Sequence, residues 1–379
     1  MDLPVHTPIA VFMTAFEPGG TERQMSELIR RLDARRFTVH VACLHKKGAW
    51  LARVVERAAS VVEFPIQGFA RAATLAQMVA FARWCRRERI AVVQTCDLYA
   101  NIFGLPGAAL ARVPVRIGSR RELNPDKTPG QIRLQRLAYR SATKVVANSQ
   151  AARHILETEG LAPGSIAVIP NGVDLTSFGP PRRRGGVRTI ITVANLRAEK
   201  SHETLLAAAA TLVSHHPELR FRIVGEGPRR LELERLAATL GVAGQVEFLG
   251  HREDVPALLA QADLFVLPSR SEAFPNGVIE AMAAGLPVVA CAAGGLLDLI
   301  QHDTTGILVP PGDVGALATA VHALVQDPDR AQEMGDAARQ FVQQRYSFER
   351  MVASFEDLYV SGLRGRVTAR PREAEAAGI

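Results

Sequence analysis

The sequence predicts an α/β protein made of two Rossmann-like halves, each a parallel sheet covered by helices on both faces. Three observations predict it. Apolar, strand-like runs alternate with amphipathic helical patterns along almost the whole chain, as βα repeats do. A breaker-rich stretch, Gly179-Pro-Pro-Arg-Arg-Arg-Gly-Gly186, interrupts that rhythm, which then restarts. The 379 residues, 47% hydrophobic and 22% charged, suffice for two ordinary soluble cores. The predicted domains are 1–178 and 179–345.

In the first half, the apolar run 9–13 predicts a strand. Pro18-Gly-Gly-Thr-Glu-Arg23 follows, and then Met25, Leu28, Ile29 and Leu32 at i, i+3, i+4 and i+7 predict a helix. A Gly19-Gly20 turn between strand and helix lets backbone N–H groups come close to a phosphate. Many such turns use glycine for geometry alone, and this one is not the GxGxxG dinucleotide pattern. Further strands are predicted at 38–44, 91–95, 113–118, 144–147 and 165–169. Arg133, Arg136, Arg140 and Lys144 fall at i, i+3, i+7 and i+11 with Leu134 and Leu137 among them. If helical through 144, the span is either a basic interfacial helix or a plain solvated face.

After the turn Pro170-Asn-Gly-Val-Asp174, the second half predicts strands at 190–194, 220–224, 246–249, 263–267, 287–291 and 307–309. Helices are predicted at about 203–214 and around Leu233, Leu236, Ala237 and Leu240, the latter ended by Gly241. Asp327-Pro-Asp329 is read as a helix cap rather than a metal site. Phe348, Met351, Val352, Phe355, Leu358 and Tyr359 make an apolar stripe at helical spacing, so that helix must dock on something. Gly362 is its predicted stop, and residues 363–379 are predicted to be a disordered polar tail.

The chemistry concentrates in Pro268-Ser-Arg-Ser-Glu-Ala-Phe-Pro-Asn-Gly-Val-Ile-Glu280. An apolar run feeds this loop, and the loop feeds a helical pattern that stops at Gly285-Leu-Pro287. Strand ends followed by helix starts are where open α/β sheets bind ligands. Glu272 and Glu280 flank the loop, and an ionised carboxylate is a pure acceptor, suited to the hydroxyls of a sugar or ribose. The spacing alone equally fits two surface acids near a helix end.

Charge and cysteines bound the partners. Residues 1–180 hold 24 Lys+Arg against 14 Asp+Glu, a net of +10, and the remainder holds 21 against 24, a net of −3. That asymmetry predicts an anionic surface or acceptor for the first half. Aromatic content is 6% and no nucleic-acid module is recognisable, so nucleic acid is not an expected partner. Cys43, Cys85, Cys96 and Cys291 are scattered, which predicts reduced thiols in a cytoplasmic protein. Neither a signal peptide nor a membrane span is expected.

Read together and in order, these motifs resemble the retaining family 4 ("group 1") glycosyltransferases, which have the two-domain GT-B fold. The resemblance spans about residues 9 to 361. It rests on Gly19-Gly20, Asn148-Ser149, Pro170-Asn-Gly-Val-Asp174, Val224-Gly-Glu-Gly-Pro228, Phe248-Leu-Gly250, Pro268-Ser269, the E-x7-E of Glu272 and Glu280, Glu280-Ala-Met-Ala-Ala-Gly285, Pro287-Val-Val289, Gly294-Gly295 and Thr305-Gly306.

The resemblance implies two parallel sheets facing an interdomain cleft, with an acceptor-binding first domain and a nucleotide-sugar-binding second one. The helix at 346–362 would cross back to the first domain. It implies a hexosyltransferase-type enzyme that moves a sugar from a nucleotide-diphosphate donor, most naturally a UDP-sugar, to a hydroxyl of a glycan or polyprenyl-linked acceptor. The setting implied is bacterial cell-surface polysaccharide or glycolipid synthesis, with no metal and no other cofactor, in the cytoplasm or peripherally on the inner face of the plasma membrane.

By the same resemblance, Glu280 would hold the ribose and Glu272 the donor sugar. Gly225, Phe274, Pro275, Asn276 and Gly277 would lie near the sugar and diphosphate, and Gly19 and Gly20 would approach the diphosphate from the other domain. Lys200 would stabilise the leaving diphosphate. The basic residues Arg120, Arg121, Arg133, Arg136 and Arg140 are the candidates for acceptor or membrane. Three positions depart from the family pattern. Asn195 stands where the family carries an arginine, with Arg197 the nearest substitute. Gln94 or Cys96 stands where it carries a histidine, and Asp298 replaces a glutamate. These departures leave two alternatives open, a catalytically silent nucleotide-sugar-binding protein and a nucleotide-sugar 2-epimerase.

Overall fold

The computed structural model describes residues 6–69, 71–123, 127–179 and 185–367. The first half runs β1 (Thr7–Met13), α1 (Gly20–Arg31), β2 (Phe37–Cys43), α2 (Leu51–Val55), β3 (Ser60–Glu63), α3 (Ala72–Arg87), β4 (Val92–Thr95), α4 (Leu98–Leu110), β5 (Val115–Arg120), α5 (Pro129–Tyr139), β6 (Lys144–Ala147), α6 (Gln150–Thr158) and β7 (Ile166–Val168). The second runs β8 (Thr189–Val193), α7 (His202–His215), β9 (Arg220–Val224), α8 (Arg230–Thr239), β10 (Val246–Gly250), α9 (Val255–Ala260), β11 (Leu264–Leu267), α10 (Asn276–Ala283), β12 (Val288–Cys291), α11 (Leu296–Leu299), β13 (Gly306–Val309), α12 (Val314–Gln326) and α13 (Pro328–Arg345), and α14 (Phe348–Val367) closes the chain.

Two compact units result. One comprises the chain up to 148, residues 152–170 and everything from 348, and the other comprises 149–151 and 171–347. The first unit holds a seven-stranded sheet in the order β3-β2-β1-β4-β5-β6-β7, and the second a six-stranded sheet in the order β10-β9-β8-β11-β12-β13. Both sheets are parallel. Parallel pairing needs crossover helices, and those cover both faces, so β4 and β11 are buried at every residue. In each sheet the strand order reverses once, between β1 and β4 and between β8 and β11. Such reversals leave a crevice at the carboxyl ends of the two strands.

The last helix belongs to the first unit. Phe348, Met351, Phe355 and Tyr359 are buried in its core with Phe37 and Val39. Charges at the helix rim fix its register: Glu356 accepts the Asp33 N–H at 2.9 Å and pairs with Arg36, and Arg31 meets Glu349 at 2.9 Å.

The structure corrects four expectations. Strand β3 has no counterpart in the sequence reading, because Ser-Val-Val-Glu is short and lies half-exposed at the sheet edge. The basic stripe is not one helix. The α5 helix ends at Tyr139, and Lys144 opens β6. Gly362 does not stop α14; it lies inside the helix, where a Cβ would come within 3.1 Å of Val115 on β5. Its glycine lets the helix lie close on the sheet, and the helix runs on to Val367. The tail expected from 363 is therefore helical to 367, and the rest of it, 368–379, lies outside the described residues. The contact boundary falls at 170/171 rather than 178/179. Val173 is tied to the second unit, its N–H bonded to the Tyr346 carbonyl at 2.8 Å. Asp327 does cap α13, accepting the Arg330 N–H. The four cysteines are buried free thiols.

Because Phe355 is fully buried where α14 meets the first core, Phe355→Ala should cost about 3–5 kcal/mol. The expected result is an earlier urea transition for the first unit alone, followed by an intrinsic probe within it.

Candidate functional site

The reversal point of the second sheet brings the predicted residues together. Strands β8 and β11 are joined by pairing and by the Thr192 hydroxyl, which donates to the Val266 carbonyl at 2.7 Å. Past β8 the chain runs through Asn195, Leu196 and Arg197 into a single 3-10 turn, Ala198–Lys200, and then into α7. Past β11 it runs through Ser269, Glu272 and Phe274 into α10. A backbone bond from the Arg270 N–H to the Glu199 carbonyl, 2.8 Å, ties the two loops. Across them, Lys200 Nζ and Glu272 Oε1 lie 2.7 Å apart, with side chains 19% and 6% exposed.

Close backbone approaches shape the rest of this end. Gly225 has φ +143°, and a Cβ there would lie 2.0 Å from the Ala194 carbonyl oxygen, so only glycine lets the loop after β9 close on the loop after β8. At Gly277 a Cβ would lie 2.6 Å from the Val193 carbonyl oxygen, so the start of α10 sits directly on the end of β8. Among the described residues no side chain caps α10, and first-turn N–H groups at a helix start without a side-chain cap are the donors an anion meets. Glu280 on α10 is buried, 4% exposed. Phe274 is buried and packs edge-on against Tyr346 at 5.4 Å.

Of the positions that depart from the family pattern here, Asn195 is exposed. Arg197 is exposed too and makes no ion pair among the described residues. Asp298 accepts the Gln150 N–H at 2.7 Å, and burial raises its carboxyl above the ordinary range.

The first sheet's reversal point carries Gly19-Gly20 after β1 and Cys96-Asp97 after β4. Here a cavity of about 230 Å³ is lined by Thr14, Glu22, Asp97, Arg121 and Lys127 among others. Gly19 has φ −167°, an extended conformation open to any residue. What its missing Cβ provides is room, since a Cβ would lie 2.1 Å from Glu22 Oε2. The Glu22 carboxyl is pushed up to about 7, chiefly by burial, with Asp97 adding to it and a backbone hydrogen bond opposing. Burial also lowers the Arg121 guanidinium to about 10. Asp97 is committed to structure, accepting the Thr14 N–H at 2.8 Å and the Ala100 N–H at 2.9 Å. Neither stand-in for the family histidine titrates usefully. Burial pushes the Cys96 thiol well up, and Gln94 Nε2 donates to Ser119 Oγ at 2.6 Å and to the Thr95 carbonyl.

The five basic candidates separate. Arg120 is withdrawn from any outer surface, buried in an ion pair with Glu159 at 3.1 Å and bonded to Gln135. Arg121 faces the cavity. Arg133, Arg136 and Arg140 are exposed beside Leu134 and Leu137, 44% and 56% exposed, along a surface groove of about 1000 Å³.

Sequence reasoning missed three residues. Asn171 is buried, and its side-chain amide donates to Asn276 Oδ1 at 2.7 Å and to the Phe274 carbonyl at 3.4 Å. The turn motif around it was visible, but not its reach to a loop a hundred residues on. His202 is buried with neither ring nitrogen hydrogen-bonded among the described residues, and burial lowers it to about 4. Glu22 was seen only as part of the Gly-Gly turn.

Comparison with known proteins fits this geometry. A family model described as "Glycosyltransferase Family 4" matches residues 18–177, and one described as "Glycosyl transferases group 1" matches 176–341. A glycogen synthase of Mycobacterium tuberculosis is 34% identical over 221 residues, 57% of this chain and 53% of that protein. A GDP-mannose-dependent alpha-(1-6)-phosphatidylinositol monomannoside mannosyltransferase of the same species is 33% identical over 225 residues, 54% of this chain and 57% of that one. The chain thus spans about half the length of the curated relatives it matches. Among solved structures, Anabaena HepE in complex with UDP aligns with a TM-score of 0.83 at 23% identity, over 93% of this chain and 100% of that one. A sucrose-phosphate synthase of Thermosynechococcus elongatus aligns with a TM-score of 0.80 at 21% identity, over 96% and 100%. These likenesses show the GT-B fold.

Glu22 sets a pH dependence. Its folded carboxyl lies near 7 against an ordinary 4.5. The stability it contributes is therefore full below the unfolded value and is lost as pH rises through about 7. Glu22→Gln should raise Tm by a few degrees at pH 8 and leave it unchanged at pH 4, read by calorimetry at both.

Proposed function

Because the chain belongs to the family 4, or group 1, glycosyltransferases, we propose that it transfers a sugar from a nucleotide-diphosphate sugar to an acceptor hydroxyl, with retention at the anomeric carbon. The observation that carries this reading is the cluster at the second sheet's reversal point. Lys200 and Glu272 stand 2.7 Å apart, Glu280 is buried on α10, and the start of α10 has no side-chain cap. A cation, two carboxylates and a helix start are what a charged, hydroxyl-rich ligand requires. Glu280 holds the ribose hydroxyls and Glu272 those of the sugar. Phe274, Pro275, Asn276, Gly277 and Gly225 shape the wall, and Gly19 and Gly20 are further diphosphate candidates.

The mechanism follows from charge. Breaking the anomeric C–O bond leaves positive charge on the sugar and extra negative charge on the diphosphate. Lys200, assisted by Arg197 and the first N–H groups of α10, stabilises that anion as it forms. A phosphate oxygen takes the acceptor's proton on the same face, which gives retention. No metal has a step in this scheme. HepE, solved with UDP and with UDP-glucose, makes a UDP-sugar the first donor to try, and the mannosyltransferase relative makes GDP-mannose the second.

The acceptor we propose is a glycan or polyprenyl-linked hydroxyl in cell-surface synthesis, presented by an anionic membrane to the first unit from the cytoplasmic side. The exposed Arg133, Arg136 and Arg140 beside Leu134 and Leu137 support it. Among the described residues no helix is long and apolar enough to cross a membrane, so the contact proposed is peripheral.

A thermal-shift screen tests the donor reading, since a ligand specific to the folded state raises Tm. UDP-glucose or GDP-mannose should raise it, and Glu280→Ala should abolish the shift. Lys200→Ala should lower kcat by about 10²–10³-fold. Absence of any shift with either nucleotide sugar at millimolar concentration overturns the reading, and turnover of donor without acceptor points to the epimerase instead. For the membrane contact, the protein should sediment with anionic liposomes at low salt, and charge reversal at Arg133, Arg136 and Arg140 should release it. Equal sedimentation of both proteins would end that part of the proposal.

A further inference from the structure

Residues 1–180 carry a net charge of +10, yet the cavity at the first sheet's reversal point is not cationic. Its charged lining is Glu22, Asp97 and Glu122 against Arg121 and Lys127, so with all five ionised one negative charge is in excess. The carboxyl groups in this lining are not equivalent. Asp97 is saturated, with Oδ2 accepting the Thr14 N–H at 2.8 Å and Oδ1 accepting both the Ala100 N–H at 2.9 Å and the Thr14 hydroxyl. Glu122 stands 3.8 Å from Lys127 in an ion pair. Glu22 has no ion pair among the described residues, and its carboxyl folds into the room that Gly19 leaves.

The neighbours of Glu22 set its charge. Burial raises the carboxyl to about 7, Asp97 and Glu122 add to this, and a backbone hydrogen bond and Arg121 oppose it. Cys96, also in the lining, stays a thiol because burial pushes it well up. The ionised form of Glu22 is an acceptor with no donor of its own, and O–H donors are what complete it. A ligand with its own negative charge would instead add to an excess already present.

The rest of the lining suits a sugar ring. Tyr99 is held in place, stacked on Phe69 with ring centres 5.8 Å apart, and its hydroxyl accepts the Gln131 amide at 2.9 Å. It gives the cavity an aromatic wall beside the hydroxyls of Thr14 and Thr21. At about 230 Å³ the space falls below the roughly 300–1,000 Å³ of sites for drug-sized ligands, so it admits one small group.

We propose that this cavity binds a single uncharged sugar residue and that Glu22 is its specificity-determining residue, accepting the sugar's hydroxyls as a carboxylate and turning away anionic sugars. Under the transferase reading above, on which this assignment of purpose rests, the bound residue is the sugar of the acceptor.

The probes are the methyl glycosides of glucose, galactose, mannose and glucuronic acid, without nucleotide, at up to about 100 mM, where complexes weaker than millimolar still register. Binding is followed by ligand-observed NMR for wild type, Glu22→Gln and Glu272→Gln, with Tm alongside. At least one neutral glycoside should bind wild type about tenfold tighter at pH 8 than at pH 6, because the Glu22 carboxyl passes from about one-tenth to about nine-tenths ionised. The glucuronide should bind more weakly than its glucose counterpart at pH 8. Glu22→Gln should bind the neutral glycoside severalfold more weakly at pH 8, with no pH dependence, and should narrow the gap to the glucuronide. Glu272→Gln, altered only in the second unit, should behave as wild type.

No binding by any neutral glycoside overturns the proposal. So does an unchanged pH profile in Glu22→Gln, which stays folded at pH 8 by the Tm measurement. Preference for the glucuronide would make Arg121 and Lys127 the selecting groups instead, and loss of binding in Glu272→Gln would move the sugar to the second unit; either ends it. The donor reading is judged separately by the nucleotide-sugar shift in Tm. A shift there with no glycoside bound here removes this site alone, and glycoside binding with no shift leaves the site but removes the transferase reading.

Discussion

The ion pair between Lys200 and Glu272 is the interaction on which the second unit's site depends. A carboxylate 6% exposed is costly to hold charged without a cation nearby, and Lys200 at 2.7 Å is that cation. Neither side chain could reach the other if β8 and β11 were not adjacent, and they are adjacent because the sheet order reverses between them. The bond from Arg270 to Glu199 then fixes the spacing of the two loops. Topology thus places the loops, backbone hydrogen bonds set their distance, and the ion pair makes the buried charge tolerable.

That arrangement carries local strain and leaves polar groups unpaired, in one place. Ser201, directly after Lys200, has φ +49°, a left-handed conformation that a non-glycine residue adopts at a cost. Its hydroxyl, both ring nitrogens of His202 and the Ser269 hydroxyl are buried without hydrogen bonds. Unpaired buried polar groups are rare in folded proteins and destabilise where they occur. Among the described residues of the second unit they fall at positions 201, 202 and 269, next in sequence to Lys200 and three residues before Glu272.

How much of this could be read from the sequence depends on the range of the interaction. Strands such as 190–194 and 263–267 announce themselves by apolar runs, since both faces of a parallel strand are covered, and all six strands of the second sheet were legible. Strand β3 was not, because an edge strand needs no apolar face. Gly362 was misread because a glycine in a helical pattern looks the same whether it stops the helix or lets it approach a strand, and only the position of Val115 distinguishes the two. At the site, Glu272 and Glu280 stood out by their spacing around one loop, whereas Lys200 came only from the family resemblance. Asn171 was not found as a partner of that loop, since its contacts with Phe274 and Asn276 cross more than a hundred residues and no local pattern encodes them. Arg120 shows the reverse case, since an arginine at a strand end reads as surface charge until Glu159 is seen beside it.

The two reversal points solve the same electrostatic problem in opposite ways. Each places a carboxylate near a turn at the carboxyl end of a central strand, where water is partly excluded. At Glu272 the opposite charge stands at hydrogen-bonding distance, and the pair together is a donor and an acceptor held in register. At Glu22 no cation pairs with the carboxylate among the described residues, and burial instead drives its carboxyl toward the neutral form near pH 7. A carboxylate left without an ion pair changes from donor to acceptor as it titrates. Glycine makes both possible by different means: Gly225 and Gly277 let backbones close around the pair, and Gly19 leaves the room into which the Glu22 carboxyl folds. The turns look alike in sequence, and what separates them chemically is that Glu272 is ion-paired with Lys200, whereas Glu22 has no ion pair among the described residues.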